Sequence, residues 1–240
     1  MSRRSRAKPP SPFRWFNFSP EIIRLVVLMY VRFPLSLRNV EDLLFERGID
    51  VCHETIRFWW NRFGPMFASD IRRQRVSAMR GFRHWRWHLD EVFVKINGKT
   101  HYLWRAVDHE GEILESYVTK TRDKAAALAF MKKALKRHGT TEAITTDGLK
   151  SYGAAMRELG VAQKQTIGRH ANNRVENSHL PFRRRERAML RFRQMKSLQK
   201  FASVHANVHN HFNLERHLVD RNTYKERRSA ALAEWQILAS

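Results

Sequence analysis

A chain of 240 residues with 45 Lys plus Arg against 23 Asp plus Glu carries a formal net charge of +22, and such an imbalance self-repels until a polyanion neutralises it, which points to nucleic acid. Hydrophobic residues at 42% with seven Trp exclude a disordered chain, and a single cysteine, Cys52, excludes an intrachain disulfide and the multi-cysteine zinc sites. No apolar run approaches the roughly 20 residues that a bilayer span needs, and the basic start lacks the apolar core of a signal peptide, so a soluble intracellular protein is expected.

Residues 1–18 read as a basic disordered tail, interrupted by Pro9, Pro10 and Pro12, of a kind that can follow a phosphate backbone or enter a minor groove. Ser19, Pro20 and Glu21 then supply a cap, a proline at the first helical position and an early acid. Ile22, Ile23, Leu25, Val26, Met29 and Tyr30 form an apolar face behind them. Pro34 stops this helix, Ser36 caps a second one, and Gly48 closes it. A third runs roughly from His53 to Arg62, with Ile56, Trp59, Trp60 and Phe63 facing inward. His53, Arg57, Asn61 and Arg62 are left over for DNA contacts. Short helices around a glycine-containing turn read as a helix-turn-helix DNA-binding domain over 19–64. A basic helical linker is expected over 65–84.

From Trp85 the apolar period changes from helical to two. Val92, Val94 and Ile96 alternate with Phe93 and Lys95, and Asn97-Gly98 is a type I′ hairpin signal. His101–Val107 reads as the return strand, Asp108–Gly111 as a second turn and Ile113–Thr119 as a third strand. An alanine-rich helix over 122–138 closed by Gly139, a strand Glu142–Thr146, a helix Ser151–Glu158 and a strand Val161–Thr166 follow. Asn172 to Trp235 reads mainly as helix. The expectation is an α/β chain with a mixed five-stranded sheet.

Three carboxylates stand out. Asp90 lies inside the first strand near Trp85 and Trp87, where a carboxylate without a cation is costly. Asp147 follows the strand Glu142–Thr146, although an acid before glycine is also an ordinary turn residue. Glu176 opens a helix, and Asn173 three residues earlier makes a capping box an equally simple reading. Brought together from separate elements, the three would repel unless divalent cations lay between them. Oxygen-only ligands select Mg²⁺ or Mn²⁺, and two such ions activate a water or 3′-hydroxyl for phosphodiester chemistry.

The stretches Glu-Arg-Gly-Ile-Asp-Val and His-Glu-Thr-Ile-Arg-Phe-Trp (46–59), His-Leu-Asp-Glu-Val-Phe-Val-Lys-Ile-Asn-Gly-Lys (88–99), Tyr-Leu-Trp-Arg-Ala-Val-Asp (102–108), Thr-Thr-Asp (145–147), Ser-Tyr-Gly (151–153) and Asn-Asn-Arg-Val-Glu-Asn-Ser-His (172–179) occur in that order. Together they resemble the DDE-class bacterial insertion-sequence transposases of insertion-sequence family six, over roughly residues 20–215. The resemblance implies a helix-turn-helix followed by a ribonuclease-H-like catalytic domain over 85–195, with a C-terminal helical region over 196–240. It implies that Asp90, Asp147 and Glu176 are the catalytic, metal-binding triad for two Mg²⁺ or Mn²⁺ ions. It also expects a basic residue two helical turns after the glutamate, a place held by Arg183. The implied activity is binding of the element's terminal inverted repeats, nicking, and transfer of the freed 3′-hydroxyls into target DNA, in the bacterial cytoplasm at the nucleoid. At least a homodimer is expected, because two ends must be handled together.

Two departures accompany the resemblance. Only 28 residues separate Asp147 from Glu176, a trimmed interval, and Pro181 is expected to kink or split the helix that carries Glu176. The arginine run that includes Arg183, Arg184 and Arg185 is read, with Arg174, as tracking DNA phosphates. The rivals are a helix-turn-helix regulator with an inactive transposase-like domain, and a phosphodiesterase that hydrolyses without transfer. His205, His209, His211 and His217 lack the partners of a zinc site, and Trp85 and Trp87 read as core. Cys52 falls at the N-cap of the third helix, where a thiol is a weak acceptor.

Overall fold

The computed structural model describes residues 10–78, 86–168, 173–213 and 218–239. Helix α1 spans Pro20–Arg32, with the Ser19 hydroxyl accepting from the Ile22 amide at 3.4 Å. Helix α2 spans Leu37–Phe45 and starts in a reciprocal capping box, the Ser36 and Asn39 side chains each meeting the other's amide at 3.0 Å. Gly48 leaves it with φ of 73°, the left-handed value that glycine adopts without strain.

Helix α3 differs from its expected length. It runs over 26 residues, His53–Ala78, straight through Pro65. A proline in a helix orphans the carbonyl four residues earlier, here that of Asn61. Lys200 from a distant helix donates to that carbonyl at 2.7 Å, so the vacancy is filled by a tertiary contact. The first part of the expected linker is therefore a continuation of the third helix, and residues 79–85, with Arg80, Arg83 and Trp85, lie outside the described residues.

The tail reading also needs correction. Phe13 is 5% exposed and stacks on Phe63 with ring centroids 4.8 Å apart, while Phe18 meets Trp59 edge-on. Aromatic anchoring holds residues 10–18 against α3; residues 1–9 lie outside the described residues.

Strands β1 (Arg86–Ile96), β2 (Lys99–Asp108) and β3 (Ile113–Thr119) form an antiparallel meander. Asn97 and Gly98 both have positive φ, 49° and 78°, as a type I′ turn requires. Helix α4 (Lys124–His138), capped by Asp123 at 2.8 Å, crosses to β4 (Ala143–Thr146), which pairs in parallel with β1. Helix α5 (Lys150–Glu158) leads through a short 3₁₀ turn at Ala162–Lys164 to β5, Gln165–Ile167, parallel to β4. That turn takes up residues expected to be extended and moves the last strand later. The sheet order is β3-β2-β1-β4-β5, the ribonuclease-H-like arrangement. Helices α6 (Asn173–Ala188), α7 (Met195–His211) and α8 (Arg221–Gln236) complete the chain. Pro181 does not split α6, which passes through it without interruption.

The two faces of the sheet are packed differently. One carries Trp87, Leu89, Trp104 and Ala106 against α4 and α5, in a core with Phe130 and Tyr152. The other carries Val92, Val94, Ile96 and Leu103 into a larger core with α1, α3, Phe182 of α6, Phe201 of α7 and Trp235 of α8. Trp60 and Phe201 meet edge-on at 5.7 Å, and the Arg24 guanidinium reaches the Leu238 carbonyl at 2.9 Å. The N-terminal helices, the sheet and the C-terminal helices thus share one apolar interior.

Candidate active site

Parallel pairing of β1 with β4 covers only Arg86, Trp87 and His88. Continued by two residues, that register brings Asp147, just after Thr146, level with Asp90 on β1. One carboxylate oxygen each from Asp90, Glu91 and Asp147 lies within 4.8 Å of the others. Asp147 is set by a local turn in which its Oδ1 accepts from the Leu149 amide at 3.0 Å.

Each acid has its own surroundings. Asp90 accepts from the Glu91 amide at 2.8 Å, and its other oxygen is 3.9 Å from His179 Nδ1. Burial, with some help from the charges of Glu91, Asp147 and Glu176, pushes the Asp90 carboxyl up to about 7 despite the backbone hydrogen bond. Glu91 is more deeply buried. Arg122 Nε pairs with it, and the Tyr152 hydroxyl donates to it at 3.2 Å. Burial raises its pKa while the Arg122 charge opposes the rise. The same guanidinium reaches toward Asp147, with Nη2 3.7 Å from Oδ2.

Of the sequence-derived triad, Asp90 and Asp147 are brought together. Glu176, on the first turn of α6, is exposed and near enough for its charge to act on Asp90, yet it is not part of the tight trio. Glu91 occupies that third place. His179 lies three residues after Glu176, on the same side of α6; burial, with Arg105 and Arg183 nearby, lowers its pKa to about 3, so its imidazole is neutral. Arg105, opposite Asp90 on β2, is fully buried and donates to the Ser178 carbonyl at 2.5 Å, which ties α6 to the sheet.

Glu91, Arg105, Arg122 and His179 were not singled out from the sequence. One signal was present for Glu91: it follows Trp87 and Leu89 on the apolar face of β1, where a carboxylate needs a partner. The cluster suits a hard divalent cation. Its donors are all oxygens, and burial, helped by the neighbouring acids, works against a full negative charge on Asp90, an effect that a bound cation would offset.

The residues expected to contact DNA fall into three groups. His53, Arg57, Asn61 and Arg62 follow one another along α3. His53 Nδ1 is 2.9 Å from Glu41, Arg57 pairs with Glu54 at 2.7 Å, and the Asn61 side chain takes a hydrogen bond from Lys200 at 2.9 Å. Arg174 and Arg184 are exposed, and Arg183 is half-buried, paired with Glu186 at 2.6 Å and bonded to the Phe93 carbonyl. Arg185 departs from expectation. It is 1% exposed, donates to the Leu35 carbonyl at 2.8 Å and lies over the Tyr30 ring. It points into the interior because α6 turns that side toward α1, so it braces the fold and does not reach DNA.

A family model described as a DDE domain matches residues 84–215. The chain is 32% identical over 172 residues to the transposase for insertion sequence-like element IS431mec of Staphylococcus aureus, covering 70% of this chain and 75% of that protein. It is 31% identical over the same length to the Staphylococcus aureus transposase for insertion sequence element IS257 in transposon Tn4003. Among solved structures, the HTLV-2 integrase catalytic core domain in complex with magnesium aligns over 65% of this chain and 97% of its own, at 15% identity and a TM-score of 0.41.

Proposed function

The chain belongs to the DDE-domain transposases of insertion sequences, and on that premise we propose that it binds its element's terminal inverted repeats, nicks there and joins the freed 3′-hydroxyls to target DNA. The observation that carries the reading is the meeting of Asp90 with Asp147, with the charge of Glu176 acting on Asp90 across a partly buried site. In this reading Asp90 and Asp147 hold the metal, and Glu176 completes one coordination sphere from α6. Two Mg²⁺ or Mn²⁺ ions would supply the Lewis acidity that activates a water or 3′-hydroxyl and steadies the leaving oxygen.

The chain's own groups set the geometry. Arg105 fixes α6, and with it Glu176, by holding the Ser178 carbonyl. Neutral His179 packs beside Asp90 without adding a positive charge that would compete with the metal. Arg122 neutralises buried Glu91 and keeps Asp147 within reach. The exposed side of α3, from His53 to Arg62, reads the repeat as the third helix of a helix-turn-helix, while Arg174, Arg183 and Arg184 hold phosphates. Two ends must be joined together, so the working form is at least a dimer. Its place of work is the bacterial cytoplasm, at nucleoid DNA; among the described residues no helix is long and apolar enough to cross a membrane.

Purified protein, labelled end DNA and Mg²⁺ test the proposal directly. Wild type gives joined products, and Asp90→Asn gives none while end binding stays within about twofold, because a metal ligand is lost far from the reading helix. Repeat binding without any joining by wild type would instead mark a regulator, and hydrolysis without joining of pre-cut ends a phosphodiesterase.

A further inference from the structure

Beyond the carboxylates, β1 continues past the end of β4, its second edge met by Arg183 at the Phe93 carbonyl and by Phe192 at Ile96, and the side chains there are unusual. Phe93 is 49% exposed in the middle of a strand, on the face that α4 and α5 cover only as far as Glu91. Tyr102 props it edge-on from β2 at 5.5 Å. In front of it lies an open groove of about 940 Å³, bounded by Lys95 and Thr100 on one side and by Arg183, Arg187 and Arg191 on the other. Among the described residues the one acid on its wall is Glu186, and Arg183 already pairs with it. At the far end, Leu190 and Arg191 both have positive φ, 56° and 83°, and Leu190 is 86% exposed. Strain of this kind persists where the surroundings demand it.

We propose that this groove binds an unpaired stretch of DNA strand next to the reacting bond, with Phe93 as the platform on which a base stacks. The inference rests on the transposase reading and adds a site to it. An exposed aromatic ring ringed by cations is the arrangement that single strands require: bases present a free face only when unpaired, and the cations track the phosphates. A duplex offers no such face. The groove also opens onto the carboxylates. The Arg122 guanidinium lies 5.5 Å from the Phe93 ring centre and 3.7 Å from Asp147, so a strand leaving the cluster meets the ring next. Stacking on an aromatic does not read sequence, so the same groove serves any strand that frays beside a nick.

The test uses the full chain without divalent metal and two probes: a fully duplex end, and a nicked end with a short single-stranded overhang carrying 2-aminopurine beside the nick. Wild type quenches the fluorophore and prefers the overhang. Phe93→Ala abolishes the quench and weakens overhang binding about tenfold, in line with one lost base–aromatic stack, with duplex binding changed less than twofold. Phe93→Tyr restores both, which separates stacking from a folding defect. Unchanged overhang affinity in Phe93→Ala, with duplex-end binding intact, overturns the groove and leaves the transposase reading standing. A shift in sedimentation mass in place of a loss of quench also overturns it, because the ring then belongs to a subunit contact. Failure of wild type to bind duplex ends, with the overhang still quenched, overturns the repeat-binding reading and keeps the groove.

Discussion

Trp104 and Arg105 are neighbours on β2, both fully buried, and they point to opposite faces of the sheet. Trp104 meets Phe130 and Tyr152 in an apolar layer, and its indole N–H is satisfied by Thr119 at 2.7 Å. Arg105 enters a layer that holds His179 and His205 and, further along, Arg185, and only one of its nitrogens bonds strongly, to the Ser178 carbonyl. Burial, with Arg183 nearby, lowers its pKa to about 9, and among the described residues no carboxylate pairs with it. One face is built to hold together. The other accepts an unfavourable cation because that cation places α6. A charged group buried without a counter-charge is a poor way to gain stability, so its reason has to be sought in what it positions.

Substitutions can break this contrast in order of size. Asp90→Asn should leave no detectable strand joining in a gel assay. Trp104→Ala should cost about 3–5 kcal/mol in denaturant unfolding, since a large cavity opens in a packed layer. Arg105→Met should do the opposite: unfolding stability should change by no more than about 1 kcal/mol in either direction, while joining falls at least tenfold as Glu176 loses its anchor. If Arg105→Met unfolds the protein as Trp104→Ala does, the two faces are not different in kind.

Acid should find the polar face first. Burial, with Arg105, Arg32 and Arg75 nearby, lowers His209 from an ordinary value near 6.5 to about 4. The unfolded chain therefore takes up a proton at a pH where the folded one does not. The stability from keeping His209 neutral is complete above about pH 6.5 and drains away as pH falls toward 4, on the order of 2–3 kcal/mol for this group. Melts between pH 7 and 4 should show a slope of that sign in wild type, to which other buried histidines such as His179 and His205 add, and His209→Gln should reduce it by about this group's share. The smallest effect concerns Cys52, which is exposed just before α3 with its sulfur 3.3 Å from the Thr55 hydroxyl. A hydroxyl is the better acceptor for first-turn amides, so Cys52→Ser should raise the melting midpoint of the full chain slightly. A lower midpoint would contradict the cap.

Local rules made much of this molecule legible. Ser19 and Pro20, the Ser36 cap, the Asn97-Gly98 turn and the alternation along β1 act within a few residues, and each element starts or turns where they say. What escaped depends on contacts across the chain. Pro65 looks like a boundary until Lys200 supplies the hydrogen bond it removes. Phe13 looks like part of a loose tail until Phe63 stacks on it. Arg185 looks like its neighbours in the arginine run until the helix is rotated into place beside Tyr30. The carboxylates were half legible for the same reason. Asp90 and Asp147 are marked by strand position, whereas the place of Glu91 depends on where β4 happens to end.

The shared interior has a consequence for how such a protein can diversify. The helices assigned to reading DNA are welded to the catalytic sheet through Trp60, Phe201 and Trp235, so they cannot be exchanged between lineages like a cassette. A chimera grafting another element's first 64 residues would leave Phe201 and Leu238 facing strangers. If α3 reads the ends as proposed, a new end specificity has to come from exposed residues such as Arg57 on a helix that stays fixed to the sheet.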